Sequence, residues 1–343
     1  MISVRKDETC YTQMIINKDQ QQKMKSPRLL LSALLLMASI ASSAQPDTCK
    51  IGMFINSIDD INISEKCFTS NFWIWMIYKD STLDFKNDIE FMSTKKTELL
   101  QFALEKKNGL YWNRQKWRNV VMKDWDIRNF PFDKQMLTMY LESAHLDTGE
   151  LVFLPDRKNS IIDPTFYNNE WRVTNFEISS PIHDYSTTFG DPTLTKGSSY
   201  SFIRIDITIK RTNHWMLFFK MFSGVIIAFL VGMCCFLIDV RQTSPRFAIA
   251  VGALWAAIAS KITLDSRVPD RTTFGLIDSI HILTFFMIFL AITLSAIFFK
   301  ETHSGSSKIF VYSRKADLIA WGSFMVIYFI VVSLLVSQAV YSN

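Results

Sequence analysis

The chain has 343 residues, of which 49% are hydrophobic, 14% aromatic and 20% charged, and its formal net charge is +5. The lysines and arginines of the first half are interspersed with acidic and aromatic residues and form no basic stripe, which argues against a nucleic-acid partner. Apolar residues are concentrated in the second half, so the composition indicates two domains of different kinds.

The first 44 residues are typical of a secretory leader behind a polar extension. Basic residues between positions 23 and 28 precede an apolar run from 29 to 41, and the small-residue tripeptide Ser42-Ser43-Ala44 follows. We therefore expect export to remove residues 1–44. Met24 is an alternative start, because residues 1–23 add little to such a leader.

Export would carry only Cys49 and Cys67 into an oxidising compartment. A disulfide between them is one alternative. The other is that both stay free, because a hairpin turning at residues 59–62 would place Cys49 opposite a residue several places beyond Cys67. No spacing of cysteines or histidines is typical of a zinc site, so we expect no metal and no other cofactor.

Residues 50–212 have the pattern of short strands separated by turn residues. The alternation is strongest in 202–209, and Asn108-Gly109, Asp163-Pro164 and Gly190-Asp191-Pro192 are turn signals. Their spacing predicts a sandwich of two antiparallel sheets. The expected strands are 52–57, 68–78, 109–117, 136–142, 151–154, 171–178 and 200–210.

Four apolar segments follow Trp215. Segments 221–238, 282–299 and 318–343 contain no charged residue, and each is about as long as a bilayer-spanning helix. Segment 247–266 is different, because small residues dominate it and it contains Lys261. It is suited to a lining of protein and water instead of lipid on all sides.

Basic residues flank these segments unevenly. One side carries six of them and the other side only Arg267 and Arg271, so the positive-inside rule predicts that the sandwich and the C-terminus lie outside. The six residues are Arg241, Arg246, Lys300, Lys308, Arg314 and Lys315.

The second apolar segment carries one face of small residues. We expect Ser244 to cap its helix, Pro245 to take the first helical position and Pro269 to mark the far end. Close helix packing is one use of such a face. Lining water is the other, and it requires several copies around an axis. The face consists of Ser244, Ala248, Gly252, Trp255, Ala259, Ile262 and Ser266.

The run Trp125-Asp126-Ile127-Arg128-Asn129-Phe130-Pro131-Phe132-Asp133-Lys134-Gln135 closely resembles the signature of pentameric ligand-gated ion channels, the Cys-loop receptor superfamily. Lys123 and Leu137 stand where animal receptors carry two bridged cysteines, a departure shared by bacterial members. Residues 246–259, followed by Val268-Pro269, look like the pore-lining helix of bacterial members. The resemblance covers roughly residues 48–340.

The resemblance implies an exported ligand-binding sandwich over residues 45–214, a four-helix pore domain over 215–343 and a homopentamer around a central pore. Agonist binding between exported domains would open the pore. The implied location is a bacterial inner membrane, with the N-terminal domain periplasmic. The implied partners are identical subunits, a small-molecule or proton agonist, inorganic ions and the lipid bilayer.

Trp255 stands where the family usually places a leucine or isoleucine gate. A ring of five indoles would narrow and dry the pore there. The alternative is that Trp255 turns into the interface between subunits.

The resemblance also implies the contact that transmits gating. Phe130 and Phe132, on either side of Pro131, would wedge between the outer loop 267–275 and the helix tops, and Arg211 would pair with Asp133. The hairpin loop at 58–65 and the outer loop 267–275, which contains Pro269, would complete the contact.

Charge selectivity stays open. Ser244-Pro245-Arg246 occupies the place where cation-selective members carry glutamates, and the Pro-Arg pair loosely resembles the anion-selective pattern. A group of ionisable residues is expected near the other end of the second apolar segment. Lys261 is expected to pair with Asp265 one helical turn later, and Asp278 and His281 on the third segment are placed to meet Lys261 from behind.

The agonist also stays open. Candidate residues are Tyr185, Phe189 and Tyr200 around the hairpin 187–199, together with His145. Ala144 replaces the aromatic residue of amine-binding receptors, so a proton, a polar or acidic metabolite or a divalent ion is as credible as an amine. Trp73 and Trp75 share one face of their strand, a pattern more typical of core.

Two other classes of protein fit parts of the sequence. A four-span membrane sensor would explain the leader and the apolar segments, although it would leave the small-residue face without a purpose. A membrane-bound enzyme fits less well, because the exported half has no paired carboxylates, nucleophile motif or phosphate loop.

Overall fold

The computed structural model describes residues 45–165, 168–190, 192, 197–268, 273–303 and 307–342. Two β-sheets that share one core are followed by four helices that are long and apolar enough to cross a membrane. The expected leader 1–44 and Pro269 lie outside the described residues.

Eleven strands are described in the first half of the chain. They are β1 Asp47–Asn62, β2 Cys67–Tyr78, β3 Ile89–Met92, β4 Thr94–Lys107, β5 Leu110–Met122, β6 Lys134–Ser143, β7 Leu151–Pro155, β8 Ile161–Ile162, β9 Trp171–Ser179, β10 Ile182–Tyr185 and β11 Ser198–Arg211.

The strands form a six-stranded and a five-stranded sheet. The first has the order β4-β5-β2-β1-β7, with β8 also paired to β1, and the second has the order β10-β11-β6-β3, with β9 paired to β11. The expectation of purely antiparallel sheets is wrong for one edge, because β7 and β8 run parallel to β1. No tight hairpin joins either strand to β1, because the chain passes through β6 of the other sheet before it reaches them. A parallel pairing with β1 is therefore possible.

The core lies between the sheets and follows the alternation of the strands. On β11, Ile203, Ile205, Ile207 and Ile209 are buried and the residues between them are half-buried. From Ser70 to Tyr78 of β2 the even-numbered residues are buried and the odd-numbered ones are half-buried, so Trp73 and Trp75 point away from the core. The expectation that these two tryptophans are core residues is therefore wrong.

The first hairpin turns later than expected. Residues 59–62 form an irregularity inside β1, with Asp60 at φ 48°, and the turn follows Asn62, whose side-chain oxygen accepts a hydrogen bond from the Glu65 backbone N–H. Cys67 therefore pairs with Asn62, while Cys49 is at the opposite end of the hairpin. Both thiols are free.

Strand β4 was not predicted, and its burial pattern gives the reason. Most of its side chains are exposed on both faces, so the hydrophobic alternation that marks a half-buried strand is absent. Its pairing with β5 depends on the tight turn at Asn108-Gly109, where both residues have positive φ. This geometry confirms the Asn-Gly turn signal.

The four helices are α1 His214–Met233, which continues as a 3₁₀ turn Cys234–Leu237, α2 Thr243–Arg267, α3 Leu276–His303 and α4 Ser307–Tyr341. Ser244 is not the cap of α2, because the helix begins at Thr243 and the cap position is Gln242, which makes no side-chain capping bond. Small buried residues let α2 approach its neighbours closely: Ala253 lies against Gly232 of α1.

Candidate functional site

Asp133 and Arg211 form a buried ion pair at the junction of the two domains. The Nε atom of Arg211 lies 3.0 Å from Oδ1 of Asp133, and the two residues are 9% and 1% exposed. Nε2 of Gln135 donates to the other carboxylate oxygen at 2.8 Å. The structure therefore brings together the two charges that the resemblance paired.

The Arg211 guanidinium also lies against aromatic rings. Its central carbon is 4.7 Å from the centre of the Phe130 ring and 4.1 Å from that of Trp171. Such cation–π contacts compensate part of the hydration that a buried cation loses. Arg211 is thus held at the end of β11, three residues before His214, where α1 begins.

The loop 123–133 inserts into the core of the membrane domain. Ile127, Phe130 and Phe132 are buried in the same cluster as the helices. The Phe132 ring lies 5.0 Å from Trp215 and 5.6 Å from Phe218 of α1. Burial of a side chain of this size contributes about 1.5–3 kcal/mol, so these residues join the two domains strongly.

A backbone contact that the sequence did not reveal links the same loop to α3. The carbonyl oxygen of Arg128 accepts a hydrogen bond of 2.8 Å from the N–H of Leu276, the first residue of α3. A side chain at Gly275 would lie 2.8 Å from this oxygen, so the close approach requires glycine. No side-chain pattern encodes such a contact, although a glycine just before a helix is a weak signal.

The first hairpin supports the loop from the other side. The Trp125 indole N–H donates to the carbonyl oxygen of Asn62, and the N–H of Lys123 donates to that of Lys66. Ile63, in the turn, packs against the membrane-domain core. The turn, the loop and the ends of α1 and α3 therefore form one junction, with Asp133 and Arg211 in it.

The predicted small-residue face of α2 is exposed in the single chain. Trp255 is 67% exposed and Ile262 is 64% exposed. Ala250, Ala253 and Ala257 are buried against the bundle on the other side of the helix. The exposed positions include Ser244, Ala248, Gly252, Trp255, Ala259, Ile262 and Ser266.

Charged residues meet behind the outer end of this face. Nζ of Lys261 lies 2.6 Å from both carboxylate oxygens of Asp265 and 2.9 Å from Oδ1 of Asp278 on α3. The buried His281 bonds the Ile277 carbonyl and lies 3.4 Å from the Ser260 hydroxyl of α2. The expected pair and the expected approach of Asp278 are both present.

Arg246 does not lie where the anion-selective pattern would place it. Its side chain is 1% exposed and points into the bundle, where Asp317 of α4 binds it with both oxygens. Because this charge is buried and paired, it does not contribute a ring of positive charge to the exposed face of α2.

Three of the four agonist-site candidates form one cluster. The Tyr185 ring lies 5.2 Å from Phe189 and 5.7 Å from Tyr200. The Tyr185 hydroxyl donates a 2.8 Å hydrogen bond to Oε1 of Glu142, which is 7% exposed. His145 instead bonds Asp88 at 2.8 Å through Nδ1.

Glu142 is a functional candidate that the sequence did not single out. Burial raises its pKa, and the Tyr185 hydroxyl bond only partly opposes this effect. Its other oxygen, Oε2, is buried without a hydrogen-bond partner and lies 4.0 Å from Nδ1 of His183. A carboxylate that is hydrogen-bonded to one ring of an aromatic cluster can attract a cation to that cluster.

A second aromatic surface lies on the outer face of the six-stranded sheet. Phe54, Trp73, Trp75 and Trp112 line a groove of about 540 Å³. The Trp75 indole lies directly over Gly52, where a side chain would collide with it. The groove also contains the Arg114 guanidinium, 4.0 Å above the Trp112 ring.

The described residues contain no group of three His, Cys, Asp or Glu side chains that could hold a metal ion. The comparison with models of protein families finds no match, and the comparison with curated proteins finds no relative.

Proposed function

We propose that this chain is one subunit of a homopentameric ligand-gated ion channel whose pore is lined by α2. The observation that carries the proposal is the exposed small-residue face of α2, which extends along the whole helix. A face that served packing within the chain would be buried, as Ala250, Ala253 and Ala257 are. In a ring of copies, the exposed faces of α2 would together enclose a water-filled pore.

The junction supports gating by the first domain. A ligand shifts an equilibrium between two states by as much as its affinity for them differs, and packed contacts between the domains can couple that difference to the helices. The buried pair Asp133–Arg211 and the Arg128–Leu276 hydrogen bond connect the sandwich to α1 and α3. A displacement of the loop 123–133 would therefore move the helix ends.

The two aromatic surfaces support an agonist site between neighbouring subunits. The cluster of Tyr185, Phe189 and Tyr200 belongs to the five-stranded sheet, whereas the tryptophan groove belongs to the six-stranded one. Around a ring, one surface of each subunit would face the other surface of its neighbour. The buried carboxylate of Glu142 favours a cationic agonist over an anionic one.

A scan of α2 with cysteine tests the proposal. Aqueous thiol reagents should modify cysteines at 248, 252, 255, 259 and 262 in reconstituted protein, but not cysteines at the buried alanines 250, 253 and 257. Native mass measurement should give five subunits. The four-span sensor instead predicts an unmodified face and a mass that fits no ring.

A further inference from the structure

Arg246 connects all four membrane elements at the end of the bundle that lies away from the sandwich. Its Nη1 atom lies 3.0 Å from Oδ2 of Asp317 on α4, and Nη2 lies 2.5 Å from Oδ1. Its Nε donates to the Ser295 hydroxyl of α3 at 3.0 Å, and Nη1 also approaches the carbonyl of Ile238, after α1. A bidentate pair of this kind fixes the orientation of the arginine side chain as well as its distance from the carboxylate.

Trp255 lies on the opposite face of α2. Nine residues separate it from Arg246, which is about two and a half helical turns. The burial agrees: Arg246 is 1% exposed and Trp255 is 67% exposed. Any rotation of α2 that moves Arg246 out of its site must therefore turn Trp255 toward the bundle.

Apart from the Asp317–Arg246 pair, the contacts of α4 are mainly with α1 and α3. The Tyr328 ring of α4 stacks on Phe229 of α1 at 3.7 Å, and its hydroxyl lies 2.9 Å from that of Thr284 on α3. Asp317 thus gives the outermost helix a charged contact with α2 in addition to its apolar contacts.

We propose that Asp317 and Arg246 are positioning residues that set the rotation of α2 and hold Trp255 on the pore face. The inference rests on the proposed function, because it assigns a purpose to that face. It also gives α4 a role in gating: displacement of α4 would release Arg246 and let the gate residue turn.

The test compares the two faces of α2 in protein reconstituted into liposomes. Cys234 is replaced by serine because it is exposed, whereas Cys49, Cys67 and Cys235 are buried. Trp255→Cys reports the exposed face and Ala257→Cys the buried face. The measured quantity is the ratio of their rates of modification by a water-soluble methanethiosulfonate.

Asp317→Asn keeps the shape of the side chain and removes its charge, so we expect the ratio to fall by about tenfold or more. General loosening of the bundle would raise both rates, whereas rotation lowers one and raises the other. Asp317→Glu should bring the ratio back toward the parent value. Asp239→Asn is the matched control, because it breaks the exposed Asp239–Arg241 pair at the same end and should change nothing.

Ser295→Ala leaves the ion pair in place and removes one bond, so it should lower the ratio in the same direction by a smaller factor. This variant carries the test if Asp317→Asn does not assemble. An unchanged ratio in the variants, with Trp255→Cys modified in the parent, would overturn the inference alone. An unmodified Trp255→Cys in the parent would overturn the proposed pore face and this inference with it.

Discussion

The backbone oxygen of Arg128 and the backbone N–H of Leu276 form a 2.8 Å hydrogen bond between the sandwich and the first turn of α3. Arg128 belongs to the loop that also supplies Phe130, Phe132 and Asp133. The contact therefore connects the loop at the base of the sandwich directly to a membrane helix.

This bond can be tested without knowledge of the agonist. Gly275→Ala would place a methyl group 2.8 Å from the Arg128 oxygen, and that backbone atom would have to move. We expect the Leu276 amide to exchange its hydrogen about tenfold faster, because a net hydrogen-bond contribution is about 0.5–1.5 kcal/mol. Gly322→Ala is the control, since nothing lies within 4 Å of its added methyl. Equal exchange in both variants would contradict the account.

The Asp133–Arg211 pair predicts a large coupling energy. Asp133→Asn or Arg211→Gln leaves a buried group without its charged partner, which costs about 3–5 kcal/mol. A double-mutant cycle on the thermal stability of the purified protein should give a coupling energy well above about 0.5 kcal/mol, the scatter of independent sites.

The neighbouring pair Asp126–Arg128 is the matched control for this cycle. Its side chains are 54% and 62% exposed, so its coupling energy should stay within the range of about 0.2–1 kcal/mol that exposed pairs show, below that of the buried pair. If the two cycles gave the same value, Asp133 and Arg211 would not form a buried pair in solution.

The raised pKa of Glu142 predicts how stability depends on pH. Its ordinary value is 4.5, and burial favours the neutral acid in the folded protein. The stability that Glu142 contributes is therefore fully present below about pH 4.5 and is lost as pH rises through the raised folded pKa. Glu142→Gln stays neutral, so its melting temperature should match the parent in acid and exceed it near neutral pH.

The control for the pH series is Glu98→Gln on the exposed strand β4, because it makes the same chemical change at a surface position, where a substitution changes stability by about 0.5 kcal/mol or less. A cationic agonist would stabilise the ionised carboxylate, so the parent should bind it more tightly than Glu142→Gln does. A melting difference between Glu142→Gln and the parent that is independent of pH would show that Glu142 titrates as an exposed group.

The sequence predicted the larger elements because their periodicities are strong. The alternation in β11 predicts a half-buried strand, and the long charge-free segments predict membrane-spanning helices. Asn108-Gly109 predicts a tight hairpin turn, because few other residue pairs adopt positive φ at both positions. The hairpin turn was misplaced because Asp59, Asp60 and Asn62 are turn-forming residues that here form a bulge. Strand β4 was missed because it is exposed on both faces.

The site was predictable in part for similar reasons. Asp133 and Arg211 were paired through the resemblance, and the exposed face of α2 followed from helical spacing. The partner of Arg246 could not be predicted, because Asp317 is 71 residues away and only packing of α4 brings it near. Glu142 was missed because only the folding of β6 and β10 together brings it to the Tyr185 hydroxyl, and no motif marks it in the sequence.

The central claim is that α2 lines a pore closed by Trp255, and agonist-free conductance tests it most directly. In planar bilayers, a ring of five alanines in place of the indoles lowers the dewetting barrier, so Trp255→Ala should conduct without agonist at least about tenfold more than the parent. Leu254→Ala, which removes a large side chain at the adjacent position, should stay closed. A Trp255→Ala protein that is an intact pentamer by native mass and yet conducts no more than the parent would contradict the account.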